Sequence, residues 1–184
     1  MEAFSDGVFA VIITIMVLEL KAPHGADWQA LRPLLPAVLT YVLSFVLLGI
    51  YWNNHHHMLH LTDGIDGAIL WANLHLLFWL SLVPFVTGWM GENHFAPLPT
   101  AVYGAVQVMA AIAYTILQTA IIHHQGAHSK LRTAVGGDMK GKISAVLWIV
   151  SVPLAFVHQA IAEAIYVCVA LMWLVPDRRI ERKL

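Results

Sequence analysis

The sequence predicts an all-α, polytopic membrane protein with six transmembrane helices, on three observations. Hydrophobic residues make up 59% of the 184-residue chain and charged residues only 11%, against about 25% charged in soluble domains. Mean hydropathy is +0.71, which is more apolar surface than a soluble core of this size hides. The apolar runs are continuous rather than alternating, which disfavours a β-barrel. At roughly 20 residues per crossing the length holds about six helices. A soluble enzyme and a disordered tail are excluded by the same numbers. Net charge is −1 and the pI about 6.8, so there is no basic face to collect the phosphates of a nucleic acid. The single cysteine, Cys168, rules out an internal disulfide and any CxxC site.

The first helix is expected over 4–22. It opens with Glu2 and Asp6 instead of Lys or Arg, so it does not read as a signal peptide. A polar loop follows from His24 to Arg32, with Trp28 as an interfacial anchor. The second helix is expected over 33–61. Its last turns, Tyr51-Trp52-Asn53-Asn54-His55-His56-His57-Met58-Leu59-His60, are too polar for lipid and must meet headgroups or protein. The segment Thr62 to Gly67 is turn chemistry. The third helix spans 68–90, with a kink expected at Pro84. A loop carrying Pro97 and Pro99 leads to the fourth helix, 101–122. From Ile143 to Val175 the chain is apolar for 33 residues, interrupted by Pro153, His158, Gln159 and Glu163. That length fits two short spans, 143–157 and 159–175, with a turn near His158 and Glu163 at the membrane boundary.

Orientation follows from charge. Eight of the ten basic residues lie in two places, the connection from His123 to Lys142 and the tail from Asp177 to Leu184. Basic loops stay cytoplasmic. Two spans separate the clusters and four precede them, which puts both termini inside. No internal repeat of the kind seen in inverted-repeat transporters appears.

Few residues carry potential chemistry. Asp6 and Ser5 sit in the first turn, where capping is the commonest role. Gly7, Val11, Thr14 and Leu18 recur at spacings of 4, 3 and 4 and form one helix stripe. On periodicity alone that stripe is ordinary helix–helix packing. Glu19, just past it, is a mouth or interfacial charge. His56 and His60, and His57 and His60, share a helix face and fit transition-metal spacing. His75, His123, His124 and His158 are possible axial haem ligands. The alternative function is therefore a membrane-embedded, histidine-ligated metal or haem redox protein. A hydrogen-bonded polar patch accounts for the same histidines more simply.

Read whole, EAFSDGVFAVIITIMVLELK resembles the first helix of the transmembrane protein 175 family, with its Phe4-Ser5-Asp6 signature followed by Gly7. Trp52, His55 and His56 resemble the family's W-x-x-H-H element. The likeness covers the chain in outline and is specific in these two segments. It implies a potassium-preferring cation channel, lysosomal in animals and in the plasma membrane in bacteria. It implies a homotetramer whose first helices line the pore, with a hydrophobic gate and no selectivity-filter loop. The family's pore positions fall five, eight and twelve residues after the aspartate, here at Val11, Thr14 and Leu18. This coincides with the stripe. Trp52, Asn53, His55 and His56 are then expected to satisfy Asp6 and Ser5. No cofactor is expected, only permeant K⁺, and no metal site. Two departures are visible. The arginine that usually stands four residues before the phenylalanine would precede Met1, and Val11 replaces a larger Ile or Leu.

Overall fold

The computed structural model describes residues 1–126 and 129–174. The basic tail with Arg178, Arg179, Arg182 and Lys183 lies outside them. The described residues form eight helices and no strand: α1 (Glu2–Leu18), α2 (Leu35–His60, after a 3₁₀ turn at Arg32–Leu34), α3 (Gly67–Ser81), α4 (Val83–Glu92), α5 (Pro97–Gln125), α6 (Lys130–Val135), α7 (Met139–Val157) and α8 (Gln159–Leu174). Four segments are long and apolar enough to cross a bilayer: 32–60, 67–92, 97–125 and 139–157. α1 and α8 are apolar but shorter, at 17 and 16 residues.

The run expected as one helix over 68–90 is two. The break falls at Leu82, because Pro84 occupies the start of α4 and supplies no N–H to the turn before it. The two prolines expected in a loop belong to α5, whose first residue is Pro97. A proline at N1 loses nothing, since that N–H has no partner in the helix. Pro153, by contrast, is accommodated inside α7. The chain reverses at His158, which is extended at φ −161° between α7 and α8. The basic connection is not all loop: Ser129 caps α6 by accepting from Arg132 N–H at 3.1 Å.

α5 is the central post, packed against α3 and α7, while α7 packs on α8 and α2 on α4. Tyr103, Val106, Gln107, Ala110, Ala113, Leu117 and Ile121 give α5 its buried face at helical spacing. Small residues let the helices close up. A Cβ on Gly104 would meet Tyr166 Oη at 2.5 Å, and one on Gly91 would meet the Ala37 backbone at 2.7 Å. Such contacts replace the hydrophobic drive that helices lack in lipid. Ser44 adds a buried polar tie, 2.7 Å from Thr87 and 2.9 Å from Tyr103, joining α2, α4 and α5.

Cross-helix contacts sort the bundle into two rims. One rim holds the start of α1, the end of α2, the start of α3 and the end of α5. There Asp66 caps α3 through Ile69 N–H at 2.8 Å and meets His124 Nδ1 at 3.1 Å, and Lys130 reaches Asp63 at 3.3 Å. The Ile69 N–H holds the Asp66 carboxyl below its ordinary range. On the other rim Lys21 pairs with Glu92 at 2.7 Å, and this bond raises the Lys21 ammonium above its usual value.

Candidate pore-lining helix and the network behind it

α1 has two opposite faces. At about 100° per residue, Ser5, Phe9, Ile12 and Met16 fall together and are all buried against the rest of the chain. Gly7, Val11, Thr14 and Leu18 fall on the far side and are all exposed, Val11 to 55% and Leu18 to 79%. Phe4 lies near them and is exposed as well. The Thr14 hydroxyl donates back to the carbonyls of Ala10 at 2.9 Å and Val11 at 3.0 Å. Its proton is committed to the helix and its oxygen lone pairs are not.

The helix begins at Glu2 with Met1 as the residue before it, and no side chain caps it. Ser5 and Asp6 are therefore not caps. Ser5 is fully buried, donates to the Met1 carbonyl at 3.2 Å and accepts from Asn73 Nδ2 at 3.0 Å. The other end of that amide, Asn73 Oδ1, accepts from His55 Nε2–H at 2.7 Å. His55 is itself fully buried, with its ring 5.6 Å from that of Phe9. One chain of hydrogen bonds thus joins α1 to α3 and α3 to α2. Interhelical bonds of this kind tie helices where water cannot substitute.

Asp6 is held differently. Trp52 Nε1–H donates to its Oδ1 at 2.9 Å. Of the four residues expected to support Asp6 and Ser5, Trp52 does so directly and His55 through Asn73. His56 instead stands 3.1 Å from Glu2, and Asn53 is exposed. Two participants, Asn73 and Glu2, have no supporting role in the sequence reading. Asn73 had a signal, as an amide in the apolar run Ile69 to Leu80, which His75 alone also interrupts.

The other histidines disperse. His75 Nε2 accepts from Trp79 Nε1–H at 2.9 Å, His124 pairs with Asp66, and His56 stacks on His60 at 6.4 Å. Among the described residues they form no multi-histidine ligand set.

The geometry can be set beside known proteins. Residues 1–84, which carry every group of this network, match the family model described as the endosomal/lysosomal potassium channel TMEM175. Over all 184 residues the chain is 53% identical to potassium channel HX13_20290 of Chryseobacterium sp., covering 96% of that protein. The chain belongs to the TMEM175 family. A more distant TMEM175 relative, potassium channel B446_29190 of Streptomyces collinus, is 37% identical over 63% of this chain and 60% of its own length. The fold matches the crystal structure of a lysosomal potassium-selective channel TMEM175 homolog from Chamaesiphon minutus. The TM-score is 0.80 at 26% identity, over 95% of this chain and 94% of that one. This TMEM175 member is therefore a multi-pass membrane protein of the same helical architecture.

Proposed function

We propose that the chain is one subunit of a homotetrameric, potassium-preferring channel in a bacterial plasma membrane, with six spans and both termini cytoplasmic. The relatives described as potassium channels support the activity. The observation that carries the mechanism is the exposed stripe of α1. A 17-residue helix anchored by one face leaves Gly7, Val11, Thr14 and Leu18 exposed on the outside of the subunit. Beside it an apolar trough of about 950 Å³ runs between α1 and α4, with Phe85 and Trp89 on its far wall. In a tetramer neighbouring subunits cover that trough and four stripes converge on the axis.

The stripe then forms rings. A ring of four valines holds water poorly when narrow, so it gates by dewetting and the barrier to an ion is mainly dehydration. Thr14 offers a ring of hydroxyl oxygens whose lone pairs replace part of the lost hydration. Glu19, exposed at the end of α1, contributes charge at the mouth. The polar network holds the opposite end of the pore helix in place.

Purified protein in liposomes with an outward K⁺ gradient should carry K⁺ flux above that of empty liposomes, and more K⁺ than Na⁺. Flux no greater than that of empty liposomes overturns the channel reading. Orientation has its own test. In a Cys168→Ser background, His24→Cys should react with an impermeant thiol reagent on intact cells and Gly137→Cys should not. Both sites are exposed, so either one is labelled wherever the reagent reaches it. The reverse pattern inverts the topology, and labelling of both undoes the span count.

A further inference from the structure

Beside Asp6 lies a group of side chains outside the Ser5–Asn73–His55 chain of hydrogen bonds. Glu2 and Asp6 are four residues apart on α1 and share a face. His56 approaches them from α2. One carboxylate oxygen from each acid and one ring nitrogen all lie within 4.8 Å of one another. The histidine atom is the informative one. His56 Nδ1 is 3.1 Å from Glu2 Oε1 yet sealed from solvent and without a hydrogen-bond partner. In the neutral tautomer protonated at Nε2, this nitrogen presents its lone pair beside the Glu2 carboxylate. Lys21 and Lys130 are paired elsewhere, with Glu92 and Asp63. The Trp52 bond orients the Asp6 carboxylate from behind, as outer partners do around metal ligands.

We propose that Glu2, Asp6 and His56 form a binding site for a divalent first-row transition ion of the Zn²⁺ class. One imidazole and two carboxylates suit such ions. In a tetrahedral site with bonds of about 2.1 Å the donor atoms stand about 3.4 Å apart. Rotamer adjustments of three partly exposed side chains close the present spacing to that value, and water completes the coordination. A bound ion would clip the first turn of α1 to α2.

The site is tested by titrating Zn²⁺ into untagged, purified full-length protein by calorimetry. One saturable site per chain in the micromolar range is expected. Glu2→Gln and His56→Gln should each weaken it at least tenfold. His123→Gln, an exposed histidine elsewhere on the same rim, should leave it unchanged. No saturable binding overturns the proposal, as does binding that both Glu2→Gln and His56→Gln leave intact. The readout is independent of ion flux, so its failure leaves the channel reading standing, and the reverse holds too.

Discussion

Asn73→Leu should lower the stability of the folded chain by roughly 1–3 kcal/mol, the cost of a buried group left without its partner. Leucine keeps the branched, four-heavy-atom outline of asparagine, so the loss falls mainly on the polar term. The His55 Nε2–H is then stranded in a fully buried position, and Ser5 loses its donor from α3. For a chain of this length the melting temperature should fall on the order of 10 °C, read by circular dichroism in detergent. Asn73→Leu combined with His55→Phe should recover part of the loss, since removing both partners removes the unsatisfied group. Trp52→Phe, at an exposed position, should cost much less. Wild-type melting of Asn73→Leu would show that the network does not hold α1 in place.

The second large effect is on conduction. Val11→Phe should close the proposed constriction and abolish flux. Val11→Ala should widen and wet it, raising conductance and lowering discrimination between K⁺ and Na⁺. Thr14→Val keeps the shape and removes the oxygen. A neutral polar contact is worth about 0.5–1.5 kcal/mol, so K⁺ preference should fall by roughly twofold to twelvefold with assembly unchanged. Val17→Ala is the matching control, exposed but off the stripe. Ile12 does not serve, because it is buried in the core and its truncation would destabilise the fold. Each variant is measured in liposomes against equal amounts of reconstituted protein. If Val17→Ala changes selectivity while Val11→Ala and Thr14→Val do not, α1 is rotated from the proposed orientation.

Features set by the local chain were legible in the residues. Hydropathy marked the long apolar helices. The 4-3-4 spacing placed Gly7, Val11, Thr14 and Leu18 on one face, because helical periodicity is a property of neighbouring positions. Pro84 marked a break, although the interruption sits at Leu82 and separates two helices. Pro97 and Pro99 misled, since a proline that ends one helix equally well begins another.

The roles of the signature residues were not legible in the same way. Capping explains a serine and an aspartate in a first turn from local chemistry, and it is not what they do here. Ser5 meets Asn73 across 68 positions and Asp6 meets Trp52 across 46. Nothing in the local pattern specifies such distant pairs. The sequence by itself determined the membrane class, the helical periods and the stripe of α1, because each follows from residues within a few turns of one another. Only the tertiary structure decided which face of α1 is packed and which is left open. It alone brought Asn73 between Ser5 and His55, and set Glu2 against His56. Those outcomes depend on how separate helices dock, and docking is governed by close packing and buried hydrogen bonds between segments far apart in the chain.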